Sequence, residues 1–393
     1  MFLRICGLLT LSSFFLAAAT STAQEKTALE TEIQSLRAKF DETREEFRSY
    51  LLAIQQIGFR YINANSLDEA YPHLEKFDDK VKGGNEILRR LQTIGVELFD
   101  KLRANNKPID DELAYFISKT VDEYFQNSQY NKAYELSKDL VKYDPSNKFA
   151  EVYQARSGLL TNRFGEEIVT IIKANKDHFQ KEDVITSPEK ILINNIYALN
   201  EMYQEELAIR KREAQANDLP LISLNTSKGK IEIELFEDSA PDTVGNIVQL
   251  TENKHYDGLF FHGVIDKAAA ETGILDSKLQ RRTVNYKIYD EKPIRNIFAG
   301  SVVMISEERN TGDTRFFIAT AALPNITGKA TVFGRVKTGM DVVYALNKTH
   351  KMEEDGAIPI DDVVPDQILT ATVIRKRDHE YAPRKVSNEN EEK

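Results

Sequence analysis

Two short runs of aromatic and apolar residues constrain this chain more than any other feature. The first is residues 255–265, HYDGLFFHGVI, and the second is residues 315–320, RFFIAT. Runs of this kind are typical of strands buried in a sheet or barrel. Two more apolar runs, residues 300–304 and 331–343, lie between and after them. The four runs predict an all-β domain in the C-terminal half of the chain.

The start of this domain has its own pattern. From Leu221 to Leu235, apolar and polar residues alternate around a Ser-Lys-Gly turn, which predicts a β-hairpin with one buried face. Pro241 is typical of the first turn of a helix, and Asp238 or Ser239 is the expected cap. A second helix is predicted over residues 340–346.

Taken in this order, the segments resemble the cyclophilin family of peptidyl-prolyl isomerases over roughly residues 221–374. The resemblance implies a closed antiparallel β-barrel of eight strands with two capping helices, in a domain spanning residues 218–375. It also implies proline-containing polypeptide clients and no cofactor. The matching positions are Tyr256, Asp257, Gly258, Phe261, His262, Phe316, Phe317, Phe333, Gly334 and Gly339.

The resemblance also implies which residues face the substrate. In cyclophilins, an arginine after the Phe-His pair draws electron density onto the imide nitrogen, and that position is Gly263 here. Ala268 and Ala269 stand where phenylalanine and methionine usually form the proline pocket. No catalytic residue is therefore assigned, and Arg315 is only a candidate donor. The substrate-binding positions carried over are Phe261, His262, Glu271, Met304, Ser306, Arg315, Phe317 and Ile326.

Glu271 and Arg315 both stand where the family has glutamine. One interpretation is that the two charges form an ion pair in the cleft, since neither is tolerated alone when partly buried. The alternative is that Arg315 reaches over Gly263 and supplies a donor near the imide.

The first 23 residues predict a secretory signal peptide. Arg4 precedes an apolar stretch from Ile5 to Ala19, which is short for a membrane span, and small residues follow it. Cys6, the only cysteine, lies inside this segment. We therefore expect a secreted or periplasmic protein with no disulfide and no stable membrane insertion after cleavage.

Residues 24–217 predict an all-α domain. Its first part has an apolar seam that favours an antiparallel helical hairpin, with a dimeric coiled coil as the alternative. Further along, Tyr130 and Phe164 lie 34 residues apart in similar contexts, which is the period of a tetratricopeptide repeat. A helix-turn-helix array with the same period by chance is the alternative. The seam residues are Leu29, Ile33, Leu36, Phe40, Phe47, Leu51 and Ile54.

Tetratricopeptide-like repeats usually bind a partner protein on their concave face. If this array does so, we expect several of four tyrosines in it to be exposed. They are Tyr124, Tyr130, Tyr134 and Tyr153.

The remaining features narrow the function. A formal net charge of −10 without a basic patch argues against a nucleic-acid partner. The histidines lack metal-ligand spacing, so no metal site is expected. Residues 376–393 are charged and predict a disordered tail. The sequence thus indicates an exported isomerase-like folding factor with weak or lost catalysis. The alternative is a non-enzymatic scaffold that uses the barrel and helical repeats as interaction surfaces.

Overall fold

The computed structural model describes residues 6–64, 66–180, 185–278, 280–353 and 356–386. Side chains are described from residue 26 onward, apart from those of residues 67, 68, 70, 75, 78, 79 and 82. The contacts divide the chain into two compact units, residues 1–120 and 121–393. The predicted signal peptide falls before the first described side chain and stays a prediction. Among the described helices, none is both long and apolar enough to cross a membrane.

The first unit is built on a helical hairpin, as the apolar seam favours. Helix α1 spans Cys6–Ile62 and helix α2 spans Leu67–Ala104, with Ser66 capping α2 by accepting a hydrogen bond from the Glu69 amide. Ion pairs between the helices, including Lys101 with Glu32 and Arg90 with Glu46, flank the seam. The buried seam residues are Leu36, Phe40, Leu91, Leu98, Phe99 and Leu102.

Shorter helices follow, and local capping sets several of their starts. Asn147 accepts a hydrogen bond from the Ala150 amide, and Thr186 forms a capping box with Glu189. The helices are α3 Asp111–Gln126, α4 Tyr130–Tyr143, α5 Lys148–Leu160, α6 Glu166–Ala174, α7 Lys176–Phe179, α8 Ser187–Asn194 and α9 Ile196–Ala216.

The C-terminal part is a ten-stranded sheet with two helices, α10 Pro241–Glu252 and α11 Met340–Tyr344. Its described strands lie in the order β10-β1-β2-β7-β5-β6-β4-β3-β8-β9, and among their pairs only β3–β8 is parallel. The strands are β1 Leu221–Thr226, β2 Gly229–Leu235, β3 Gly263–Ile265, β4 Ala269–Thr272, β5 Ser301–Met304, β6 Phe316–Ala319, β7 Val332–Thr338, β8 His350–Glu353, β9 Gly356–Pro359 and β10 Ile368–Arg375.

The predicted closed barrel is not what the strand pairing shows. The order is open, with β9 and β10 at its two ends. Residues 258–261, which belong to no strand, meet residues 366–368 at the start of β10 through single hydrogen bonds such as Gly258 N–H to Ile368 O at 2.7 Å. The Asp257 carboxylate also accepts from the Ala371 amide at 2.7 Å. A side chain and isolated bonds thus replace the ladder that would close a barrel.

The helices from Val121 onward pack against loops and α11 of the sheet domain and share a buried cluster with them. Tyr344 donates a hydrogen bond to the Leu160 carbonyl at 2.8 Å, and the Asn162 amide group both donates to and accepts from the Ala299 backbone. The rings of Tyr130 and Tyr344 meet edge to face at 5.0 Å. Residues 121–393 therefore form one compact unit. The domain boundary predicted at residue 217 and the tetratricopeptide-like character of the helices stay predictions.

The four tyrosines of the array serve this packing. Tyr130 and Tyr134 are buried, and Tyr124 and Tyr153 are half-buried. Tyr130 also donates a hydrogen bond to Asp266 in the turn between β3 and β4. The expectation that several of these tyrosines are exposed is therefore not met.

The described part of the predicted tail is ordered against the sheet. Arg377 forms ion pairs with Asp238 and Asp218, and the buried Tyr381 donates a hydrogen bond to Glu237 at 2.8 Å. Further along, the Val386 amide donates to a backbone carbonyl at residue 287. Charge in this segment is complementary to carboxylates of the sheet domain, which composition alone does not reveal. Residues 387–393 lie outside the described part of the chain.

Candidate functional site

Three of the predicted site positions lie side by side across neighbouring strands. Gly263 on β3 is paired with Glu271 on β4, and Glu271 is paired with Phe317 on β6. Directly opposed residues of antiparallel strands point to the same face. The sheet therefore brings together the position of the family arginine, the exchanged glutamine and the aromatic pocket residue.

The space beside Gly263 is taken by a carboxylate. A Cβ added at Gly263 would lie 3.2 Å from both the Cβ and an Oε of Glu271. The other Oε of Glu271 lies 3.2 Å from Nε2 of His262. Where the resemblance implies a guanidinium, the structure thus has the negative end of a half-buried Glu271 held by a histidine.

His262 is turned into the protein on its other side. Its Nδ1 atom is buried and has no hydrogen-bond partner among the described residues. The neighbouring Phe261 is fully buried in the sheet core. Of the Phe-His pair, Phe261 therefore stabilises the strand, and only His262 faces the site through Glu271.

The predicted ion pair between Glu271 and Arg315 is wrong, as both side chains are described and each has other partners. Arg315 pairs with Glu307 at 2.8 Å and with Asp313 at 3.4 Å. Burial works against the charged form of Arg315, but the hydrogen bond to Glu307 and the charge of Asp313 raise its pKa above the ordinary value. Arg315 is therefore held away from Gly263.

Asp313 organises this corner of the site. Its carboxylate accepts hydrogen bonds from Lys287 at 2.8 Å and from the Arg315 amide at 3.1 Å. Burial opposes ionisation, but these bonds and the nearby cations hold the pKa of Asp313 below its usual value. The charge of Arg315 is thereby balanced within its own loop, which leaves little of it for a bound substrate.

A cleft with a cavity volume of about 820 Å³ adjoins this row. Four of the predicted substrate-binding residues line it, namely Met304, Ser306, Phe317 and Ile326. Phe317 is half-buried and Ile326 is exposed, so they offer an apolar surface to a ligand. Phe261, His262, Glu271 and Arg315 do not line this cavity.

Sequence reasoning missed the charged rim of the cleft. Two loops, residues 290–293 and 307–309, contribute acidic and basic side chains to its lining. The signal was the density of charge directly before and after the strand at residues 301–304, which the resemblance did not address.

Within that rim, Glu291 has a structural role that local sequence did not reveal. Its carboxylate accepts from the amides of Asp242 at 2.8 Å and Thr243 at 3.0 Å, at the first turn of α10. Burial raises the pKa of Glu291, although these hydrogen bonds oppose the shift. The residue at the cap position of α10, Ala240, has no side-chain cap bond, so the cap predicted at Asp238 or Ser239 is supplied instead by Glu291.

We expect the junction between β4 and β6 to depend on Gly273. Its φ of +112° is a conformation that other residues rarely adopt, and an added Cβ would lie 2.8 Å from the Cα of Arg315. Gly273→Ala should therefore destabilise the chain by more than about 3 kcal/mol, measured by urea unfolding. Gly328→Ala is the control, because Gly328 has φ +78° but open space around it. Its cost should stay near about 1–2 kcal/mol, and equal costs at the two positions would rule out the steric explanation.

Comparison with known proteins places this sheet domain. The model of the family described as cyclophilin type peptidyl-prolyl cis-trans isomerase/CLD matches residues 221–373. A peptidyl-prolyl cis-trans isomerase-like 1 of Aspergillus fumigatus is 32% identical over 164 residues, which cover 40% of this chain and 97% of the relative. The isomerase ppi1 of Schizosaccharomyces pombe is 37% identical over 125 residues, covering 31% and 81%.

The fold and these similarities define a protein of the prolyl isomerase class, in which a sheet domain follows a helical region. The chain belongs to the cyclophilin-type peptidyl-prolyl cis-trans isomerase family through residues 221–373, as the sequence predicted. A solved cyclophilin-type isomerase from Cryptosporidium parvum aligns at 21% identity with a TM-score of 0.32, covering 40% of this chain and 99% of that one.

Proposed function

We propose that this chain is an exported folding factor that binds proline-containing polypeptides at the cleft beside Phe317 and Ile326. We propose further that it catalyses their isomerisation weakly or not at all. The observation that carries this proposal is the carboxylate of Glu271 beside Gly263.

The physical argument begins with the reaction. Rotation about a prolyl bond is opposed by a barrier of roughly 18–20 kcal/mol, because the C–N bond has partial double-bond character. A donor or cation placed near the imide nitrogen lowers this barrier by drawing electron density onto that nitrogen. A carboxylate in that place has the opposite sign and offers no donor when ionised. The position of Glu271 therefore supports weak or lost acceleration.

The nearest cation of the predicted set does not compensate. The guanidinium of Arg315 is largely buried and committed to Glu307 and Asp313. To reach Gly263, the guanidinium would have to leave both carboxylates. The buried Asp313 would then lose one of its compensating positive charges. These contacts support weak or lost catalysis, and they disfavour the alternative in which Arg315 donates a hydrogen bond near the imide.

The second candidate is a non-enzymatic scaffold, which is favoured by the same carboxylate together with the cleft that Met304, Phe317 and Ile326 line. The two candidates separate in one experiment on the full chain. Exchange spectroscopy of a short Ala-Pro-Phe peptide measures binding from line broadening and isomerisation from cis–trans cross-peaks. Binding without faster exchange would favour the scaffold, and faster exchange would favour the enzyme. If the peptide shows no binding and no faster exchange, the proposed cleft is contradicted.

Export is proposed from the predicted signal peptide at residues 1–23. We expect the full-length chain, produced in a host with a secretory pathway, to be recovered outside the cytoplasm with an N-terminus close to Gln24. Edman sequencing of the recovered protein checks the cleavage site. Recovery of uncleaved protein with the soluble cytosolic fraction would contradict export.

A further inference from the structure

The described side chains in the distal part of the first unit's hairpin are half-buried or exposed. The ring of Tyr50 occupies the place where a side chain at Gly84 would lie, so the helices are close there. Beyond that point, none of the described side chains of residues 51–83 is buried. Ile54, Ile57, Phe77 and Val81 are half-buried, whereas other apolar side chains of the segment are exposed.

Four apolar side chains instead form an exposed stripe on α1. At 3.6 residues per turn, Leu51, Leu52, Phe59 and Ile62 fall within an arc of roughly 100°. Phe59 is 69% exposed and Ile62 is 79% exposed. We call these four residues, together with the exposed Tyr71 at the start of α2, the tip patch.

The same arc of α1 is charged nearer the base. Asp41, Arg44 and Arg48 occupy it roughly four to six turns before Ile62, and Arg44 pairs with Glu112. A solvent-facing helix surface is normally polar along its whole length. The change from charged to apolar at Leu51 is thus a local feature of the tip. An exposed apolar patch of this kind on a water-soluble surface marks an interaction site.

We propose that the tip patch binds apolar segments of non-native polypeptides. Residues 49–67 contain a single charged residue, Arg60. Such a neutral apolar surface is complementary to side chains that a folded protein hides and an unfolded one exposes. The proposal goes beyond the isomerase cleft, since it assigns client binding to a second place on the same chain.

Two other occupants fit the observations less well. A stable dimer interface takes about 800 Å² and 20–30 residues from each partner, whereas the tip patch has five side chains. A helix that lies on an anionic membrane is rich in lysine and arginine on its polar face. Here Arg60 stands alone, and the next helix begins with acidic residues at positions 68 and 69.

The test uses the full chain and one unfolded protein in two forms. The probe is fluorescein-labelled α-lactalbumin, reduced and carboxamidomethylated so that it cannot refold, and the native protein is its folded counterpart. Fluorescence anisotropy should show binding of the unfolded form only. The double variant Phe59→Gln, Ile62→Gln should weaken this binding about tenfold or more, because both large apolar contacts are lost.

A matched variant separates the patch from general surface hydrophobicity. Tyr115 lies in the same unit and is 65% exposed, so Tyr115→Gln removes a similar exposed ring elsewhere. It should leave binding unchanged. Circular dichroism checks that the variants keep their helices, and Phe59→Gln alone serves if the double variant does not fold.

Three results would overturn the proposal. The first is that the double variant binds unfolded α-lactalbumin as tightly as the parent chain. The second is that the parent chain is a dimer in sedimentation velocity and the double variant is not. The third is that the parent chain binds phosphatidylglycerol vesicles and the double variant does not. The last two would assign the patch to a second copy or to a membrane. Exchange of the short prolyl peptide at the cleft should be the same in all variants, so failure at the tip is distinguishable from failure of the proposed function.

Discussion

The unmodified chain should accelerate isomerisation of a short prolyl peptide hardly above the uncatalysed rate. Removing one preorganised donor from a catalytic site typically costs about 10²–10³ in rate, and Gly263 lacks that donor. Ala268 and Ala269 add to the loss, since each large apolar side chain absent from the proline pocket forgoes roughly 1.5–3 kcal/mol of burial. Protease-coupled or exchange kinetics on the full chain measure the rate.

A set of substitutions should restore it. The triple change Gly263→Arg, Ala268→Phe, Ala269→Met supplies the donor and the pocket, and should recover at least about 10² in rate. Adding Glu271→Gln should raise the rate further, because it removes the negative charge that lies beside position 263 and would pair with the new arginine. The four changes also restore the residue types that the resemblance implies.

The single changes are the controls for this design. Gly263→Arg alone should restore little, because the arginine meets the Glu271 carboxylate and the pocket remains open. Glu271→Gln alone should restore little, because no donor is present. Robust activity in the unmodified chain would contradict the account and make Arg315 the next residue to substitute.

The sequence predicted the elements of the sheet domain well. Its strands are runs of β-branched and aromatic residues, and that local composition suffices to place β1, β5, β6 and β7. The family resemblance then ordered them correctly, and the sequence comparisons confirm the family. Local pattern and the resemblance together were enough for a sheet domain and its family, but not for the ten strands or their open order.

Contacts between distant residues were not predictable in the same way. Glu291 caps a helix that begins fifty residues earlier, and Arg315 pairs with Glu307 across a loop. In both cases the loops between the elements determine which residues meet. Loops have no periodic sequence pattern from which such contacts could be predicted. The open strand order has the same origin, since the start of β10 meets residues 258–261, which form no regular strand.

The packing of helices on the sheet was missed for a related reason. The side chain of Asn162 forms two hydrogen bonds with the backbone of Ala299, although the two residues are 137 positions apart. Nothing in the helical period marks Asn162 as a contact residue. We expected Tyr130 and Tyr134 to be exposed on a concave face. In the structure both are buried.

One contact between the helices and the sheet domain is a buried cluster of three charged side chains. We expect its single anion, Glu189, to contribute more to the free energy of unfolding than either cation. Glu189 on α8 is fully buried and accepts from Arg156 Nε at 2.7 Å and from Lys267 Nζ at 3.3 Å. Removing one partner of a buried pair typically costs about 3–5 kcal/mol. Glu189→Ala leaves two buried cations facing each other, so its cost should reach or exceed that range in urea unfolding.

The matched control is an exposed ion pair of the same unit. Glu135 pairs with Arg163 at 3.1 Å on the surface, and Glu135→Ala should cost no more than about 1 kcal/mol. Replacing all three buried charges, as in Arg156→Met, Glu189→Leu, Lys267→Met, should recover most of the loss, because well-packed apolar groups can replace a buried ion pair. Equal costs for Glu189→Ala and Glu135→Ala would contradict the role given to burial.

The pH dependence has a definite sign. Burial opposes ionisation of Glu189, but the hydrogen bond from Arg156 and the charge of Lys267 hold its pKa below the usual value. A carboxyl with a depressed pKa stabilises the folded state above its unfolded pKa of about 4.3 and loses that contribution as pH falls through the folded pKa. The parent chain should therefore lose this stability only in acid, and Glu189→Ala should lack that part of the pH dependence.

The cluster also links stability to the cleft. Lys267 lies in the turn between β3 and β4 with φ +54°, and Ala268, the first pocket position, follows it directly. Without Glu189 the turn loses its anchor to α8, so the amides of Val264 and Ala270 should exchange faster with deuterium than those of β1 and β2. A uniform increase over all strands would mean that Glu189 acts on global stability alone. A local increase would show that helix α8 positions the strand pair that carries the candidate site.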